Sequence, residues 1–296
     1  MHYKASTTKK VTFLGYCSGI GASNSACEMG ALALQAYFSK NPLNFASNWE
    51  EMLYPKNQLR GLDAIPEIVE LSRRLAERTQ QLVTNRQTFI VFGGDHTSAI
   101  GTWSGAAAGL KKKGPLGLIW IDAHMDSHTP TTSVSLNLHG MSLAILLGHG
   151  DTNLTNILNF SPKLLPQNVC LIGVRSYEDA EAKLLKHLGV TVFYMDDLVK
   201  KGLNVVFDEA LEIVKENSVA FGVSLDLDAI DPIDAPGTGY WEPNGIAGKE
   251  LCDSLFPLLK KKEKLCGFEI SEYNPSKDIN NRTAQLVFKI INQIFG

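Results

Sequence analysis

At 296 residues the chain is long enough to bury a large core, and one domain spanning 1–296 is expected because no linker, repeat or low-complexity tract divides it. Lys and Arg total 28 against 31 Asp and Glu, and no basic stripe or aromatic-interleaved patch stands out, which argues against a nucleic-acid partner. No stretch approaches the ~18 apolar residues of a membrane span, and the polar start Met1–Lys10 has no apolar signal core, so a cytoplasmic protein is expected.

In chain order, Val11–Cys17 is the first short apolar run and is predicted as a strand. The spacing of Ile65, Ile68, Val69, Leu71, Leu75 and Leu82 predicts a helix over Ile65–Leu82. Strands are predicted at Thr88–Phe92, Leu116–Ile121 and Val169–Val174, then a helix at Asp179–Leu188 and a strand at Val190–Tyr194. A helix at Val206–Val214 and strands at Val219–Leu225 and Leu265–Ile270 complete the series. The strands are continuous apolar runs, as expected of a parallel sheet covered by helices on both faces. Gly/Pro clusters at Ser161–Pro166 and Asp234–Gly245 read as loops. The short runs Lys111–Lys113 and Lys260–Lys262 read as solvated helix ends. The five cysteines are odd in number and lack a CxxC pair, which suits a reducing cytosol. Cys17, Cys170 and Cys266 fall in or beside strand-like segments and read as core.

Three motifs carry the chemistry: Gly93-Gly94-Asp95-His96, Asp122-Ala123-His124-Met125-Asp126 and Asp226-Leu227-Asp228. Singly, such an aspartate is usually a turn or helix cap. Together, His96, Asp122, His124, Asp126, Asp226 and Asp228 offer oxygen and nitrogen donors suited to Mn²⁺, Zn²⁺, Fe²⁺ or Co²⁺. Six side chains exceed the needs of one catalytic ion and suit two ions with shared carboxylates. The period-two spacing of Asp122-x-His124-x-Asp126 points three donors to one side of an extended segment, and Asp226-x-Asp228 repeats it. Each motif follows an apolar strand, where open α/β sheets bind their ligands.

These motifs, with Ser224 to Pro232 around the third, resemble the signatures of the ureohydrolases, the arginase–agmatinase family, in order and spacing from Val11 to about Ala284. The resemblance implies a three-layer α/β/α fold with a mainly parallel eight-stranded sheet and a cofactor of two Mn²⁺ per subunit. One ion would be held by His96, Asp122, Asp126 and Asp226, the other by Asp122, His124, Asp226 and Asp228. A hydroxide bridging the ions would attack a guanidinium carbon. It also implies that Glu272 pairs with the guanidinium and that His139 delivers the leaving-group proton.

The segment Ser135-Leu136-Asn137-Leu138-His139-Gly140 resembles the arginase loop that grips an α-carboxylate, through Ser135 and Asn137. Arg175 to Glu181 resembles the stretch where acids face the α-amino group, which implicates Glu178 and Glu181. His128 stands where arginases carry an Asn, Leu136 where the loop has Gly, and Gly239 to Gly245 where the family reads Gly-Thr-Pro-x-x-Gly-Gly. Lys249 replaces an Arg used in subunit contacts. The expected reaction is L-arginine plus water to L-ornithine plus urea. The alternative is another guanidino-acid or formimino-amino-acid hydrolase of agmatinase, guanidinobutyrase or formimidoylglutamase type. A homo-oligomer, trimer or hexamer, is expected.

Overall fold

The computed structural model describes residues 10–23, 26–255 and 262–296. The polar residues Met1 to Lys9, Lys260 and Lys261 lie outside the described residues, as does the side chain of Lys262. Eight strands form one sheet: β1 Lys10–Tyr16, β2 Ala46–Leu53, β3 Phe89–Phe92, β4 Leu116–Ile121, β5 Val169–Val174, β6 Thr191–Tyr194, β7 Ala220–Asp226 and β8 Leu265–Ser271. Their order is β2-β1-β3-β8-β7-β4-β5-β6, and every pairing is parallel. The seven predicted strands are present, each within about one residue of its expected ends.

The eighth, β2, has no apolar run to announce it. It is an edge strand, and its Glu51 pairs with Arg74 at 3.0 Å while Trp49 and Met52 turn inward to the core. The helices are α1 Gly30–Lys40, α2 Ile65–Thr84, α3 Ser98–Leu110, α4 Ser142–Leu146, α5 Thr152–Thr155, α6 Asp179–Leu188, α7 Met195–Lys201, α8 Leu203–Glu216, α9 Gly248–Ser254 and α10 Arg282–Phe295. Among the described residues, none is long and apolar enough to cross a membrane. The predicted helix Val206–Val214 is the middle of α8. The predicted helix Asp179–Leu188 is α6, where Glu178 and Glu181 form a capping box and Gly189 closes the helix at φ 78°.

Alternation along each strand sorts the core into two layers. Ile90 and Phe92 of β3 join α1, α8 and α10 on one face, while Phe89 and Val91 join α2 and α3 on the other. Each fully buried side chain of this size contributes roughly 1.5–3 kcal/mol, so two packed layers leave the sheet centre rigid. One glycine is essential to the second layer. A Cβ on Gly222 of β7 would lie 2.0 Å from the Trp103 ring, so only glycine lets the indole lie flat on the strand. Trp103 Nε1 then donates to Glu269 Oε2 at 2.9 Å.

The central neighbours β3, β8, β7 and β4 end side by side. Their carboxyl ends carry His96, Glu272, the Asp226–Asp228 turn and the Asp122–Asp126 segment. All five cysteines are free and buried, in agreement with the core reading of Cys17, Cys170 and Cys266.

Candidate active site

His96 is held by a ring stack and a hydroxyl. Its ring stacks on Trp120 at 4.2 Å, and Nε2 lies 3.0 Å from Ser224 Oγ. Ser224 in turn donates to Glu269 Oε2 at 2.6 Å. That leaves Nδ1 facing Asp122 Oδ2 at 3.3 Å, Asp126 Oδ2 at 3.0 Å and Asp226 Oδ2 at 3.0 Å. Neither Nδ1 nor Asp126 Oδ2 completes a hydrogen bond there, although both are fully buried. Buried polar atoms are rarely left so, and a ring nitrogen ringed by carboxylate oxygens is the arrangement a cation completes.

A second group adjoins it. His124 Nδ1 lies 3.1 Å from Asp228 Oδ2 and 3.5 Å from Asp122 Oδ1. Donor atoms of His96, Asp122 and Asp226, and of Asp122, His124 and Asp228, all lie within 4.8 Å of one another in their sets. Asp122 belongs to both. The donor chemistry therefore fits two divalent cations with a shared carboxylate. Charge agrees: burial, then Asp228 and Asp122, push the Asp226 carboxyl well above its ordinary range. Burial, then the Asp122 charge, raises Asp126 to about 6. Burial opposes a charged His96, but the close carboxylates of Asp122, Asp126 and Asp226 outweigh it and raise its pKa well above the usual value.

The donors do not converge in the way the spacing suggested. Strand β4 stops at Ile121, so Asp122–Asp126 is not extended, and Asp126 turns inward at φ 46°. Likewise Asp226 ends β7 while Asp228 sits on one 3-10 turn, its N–H donating to Asp226 Oδ1 at 2.9 Å. Asp95, the acid of the first motif, points away from the cluster. It accepts from Gly21 N at 2.7 Å and Thr97 N at 3.0 Å and ties two loops together. Gly94 passes so close to Ser18 that a Cβ would meet its carbonyl oxygen at 1.8 Å.

Glu272 follows β8 at φ 63° and is buried. Its Oε1 accepts from His96 N at 3.1 Å and lies 3.1 Å from His139 Nδ1, and its Oε2 accepts from Cys27 Sγ at 3.2 Å. The Tyr240 ring stacks on His139 at 5.6 Å, and its hydroxyl lies 2.7 Å from Ser23 Oγ. A cavity of about 360 Å³ opens beside these groups, lined by His124, Asp126, His128, Ser135, Asn137, His139, Glu178 and Glu181 among others. The ligand, catalytic and substrate-binding candidates of the sequence thus line this cavity or lie in or against the donor cluster beside it. Two differ in character. Glu181 is saturated, accepting from Ser127 N and Glu178 N with His128 Nε2 3.3 Å away. Glu178 keeps its side chain 60% exposed. Tyr240, whose bulk in place of the family's threonine pointed to a reshaped pocket wall, does line the cavity; nothing in the lone thiol of Cys27 or the loop acid Glu242 signals chemistry until the fold closes.

The family model described as "Arginase family" matches residues 9–296. The chain belongs to the arginase family. The arginase of Brevibacillus brevis is 35% identical over 296 residues, covering 97% of this chain and 98% of that one. The arginase structure from Bacillus caldovelox superposes with a TM-score of 0.89 at 31% identity, covering 98% and 99%. The Entamoeba histolytica arginase in complex with L-ornithine gives 0.88 at 27% identity, covering the whole of both chains. Membership makes the chain a metal-dependent hydrolase of C–N bonds in linear amidines.

Against the arginase pattern, the departures have physical consequences. Leu136, in the glycine position of the loop, is held at φ 57°, where a side chain costs about 1–2 kcal/mol. Tyr240 replaces a small threonine and forms part of the cavity wall. Trp241 does not enter: it is 54% exposed, with Nε1 donating to Pro236 O at 2.7 Å. Lys249 Nζ donates to Asp253, on its own helix, at 2.6 Å.

Proposed function

We propose that this chain hydrolyses L-arginine to L-ornithine and urea with two Mn²⁺ bound. The observation that carries the reading is the pair of donor groups sharing Asp122, set beside the His139–Glu272 pair at the floor of one cavity. Arginase names among the relatives and the L-ornithine held by the Entamoeba enzyme support arginine as the substrate. One ion is assigned to His96, Asp122, Asp126 and Asp226, and the other to Asp122, His124, Asp226 and Asp228. When bound, such ions supply a water acidified enough to serve as hydroxide near neutral pH.

The protein's own groups do the rest. Glu272, kept anionic despite burial by its bond to His139, is placed to receive the cationic guanidinium. Burial opposes the His139 charge, but Glu272 prevails and raises its pKa to about 9, so the imidazole carries a proton at neutral pH. That proton goes to the departing amine nitrogen as its bond to the central carbon breaks, leaving ornithine and urea. Ser135 and Asn137 offer neutral donors for the α-carboxylate. Glu178, the exposed acid, is the candidate for the α-ammonium, with His128 and Glu181 behind it. Assembly into a trimer or hexamer belongs to the same proposal, and light scattering on the purified chain measures it.

The test is product release from L-arginine, agmatine, guanidinobutyrate and formiminoglutamate by the Mn²⁺-loaded protein. Urea from arginine far in excess of the others supports the reading. Turnover of another compound with none from arginine overturns the substrate and leaves the hydrolase.

A further inference from the structure

Glu242 stands on the loop before α9, at a position the family's Gly-Thr-Pro-x-x-Gly-Gly pattern leaves open. Its Oε1 lies 3.4 Å from Nε2 of His124, and the opposite nitrogen, Nδ1, faces Asp228 Oδ2 at 3.1 Å. One imidazole is thus flanked by a loop carboxylate on one side and the second donor group on the other.

The approach of this loop is built in. The half-buried Arg175 guanidinium donates through Nη2 to Glu242 O at 2.6 Å and Asp228 O at 2.7 Å, and through Nε to Pro243 O at 3.0 Å. Its Nη1 reaches Gly173 O and Ala229 O, both at 3.2 Å. A single side chain therefore staples the Glu242–Pro243 backbone to the turn that carries Asp228. Arginine is suited to this because its planar fork spreads several donors in fixed directions and stays charged when half-buried. Glu242 and Asp228, which face opposite nitrogens of His124, are thus anchored to the same guanidinium.

We propose that Glu242 is a positioning residue for His124. It accepts the Nε2–H, which fixes the tautomer and turns the Nδ1 lone pair toward Asp122 and Asp228. His96 is oriented by a buried hydroxyl, Ser224; His124, on the cavity side and 29% exposed, is oriented by an acid from a loop. Partners of this kind raise the basicity of a ligating histidine, and their removal typically lowers metal affinity 10–100-fold. The inference rests on the binuclear reading above.

Mn²⁺ binding to the full chain, followed by the electron paramagnetic resonance of free Mn²⁺, tests it. Wild type is expected to take up two ions. Glu242→Ala should weaken one of them by about 10–100-fold and leave the other as in wild type. Glu242→Gln keeps an acceptor oxygen and the loop backbone, so it should hold both ions within a few-fold of wild type. Wild-type affinities in Glu242→Ala, equal weakening of both ions, or failure of Glu242→Gln to restore binding overturns the proposal alone. A wild-type chain that binds fewer than two ions overturns the binuclear reading, and this inference with it.

Discussion

His139 Nδ1 and Glu272 Oε1 lie 3.1 Å apart in a buried pocket, and each holds the other in its charged form. Burial alone would discharge both. The imidazolium keeps the Glu272 carboxyl below its ordinary pKa, and the carboxylate lifts His139 to about 9. A histidine raised in the folded state binds its proton more tightly there than in the unfolded chain. Its stabilisation is therefore complete below the unfolded value near 6.5 and is lost as pH climbs through about 9.

In the metal-free protein, wild type and His139→Gln should accordingly differ in stability at pH 6. The difference should shrink across pH 7–9 and disappear above it. Urea denaturation at intervals of one pH unit measures this. A gap that grows with rising pH would refute the paired assignment.

Metal binding and proton delivery are separable by substitution. Asp226 presents its carboxylate to His96 at 3.0 Å, whereas the His139 ring faces Glu272 at 3.1 Å. Asp226→Ala should lose at least one ion and nearly all turnover. His139→Asn should keep both ions and lose on the order of 10²–10⁴ in rate, the usual size of a general acid contribution. Elemental analysis beside urea release distinguishes them. Metal loss in His139→Asn would make it a ligand or a structural residue.

The sequence exposed the sheet because seven of its strands are short, largely apolar runs, which few other structures require. It hid β2, whose glutamates answer arginines on α2 and whose inward residues, Trp49, Met52 and Leu53, stand beside polar neighbours. The donor cluster was legible because carboxylates at the ends of buried strands repel one another without a cation. How Asp126 and Glu272 reach it was not, since both need a left-handed backbone that neither residue type advertises. Nor was Glu269 visible as anything but a charged residue inside an apolar strand. It is fully buried, with Ser98, Thr102, Trp103 and Ser224 donating to its two oxygens.

That buried carboxylate yields a stability prediction. Trp103→Phe removes one of its donors while preserving an aromatic ring against Gly222. Losing a hydrogen bond to a buried charge costs about 1.5–3 kcal/mol. The effect should appear as a lower denaturation midpoint at unchanged slope, with both ions still bound. A change below about 0.5 kcal/mol, the range of surface substitutions, would mean that the remaining donors suffice.

The substrate prediction turns on what agmatine lacks. The cavity lining includes Ser135 and Asn137, with Asn137 N donating to Ser135 Oγ at 3.3 Å, and the proposed function gives both side chains the α-carboxylate. Agmatine has none, so those groups would lose water on closure and gain no partner. A site built to bond a polar group rejects an analogue lacking it by ~10⁴ or more in good cases. L-arginine should therefore exceed agmatine in kcat/KM by at least about 10³, and Ser135→Ala should narrow that ratio by weakening arginine while leaving the metals in place. Tyr240 opposes this outcome physically, since its ring occupies wall space beside His139. Tyr240→Thr should then lower KM for arginine if the ring crowds the chain of the substrate, and raise it if the ring only supports His139. Equal use of arginine and agmatine by wild type would remove Ser135 and Asn137 from substrate recognition altogether.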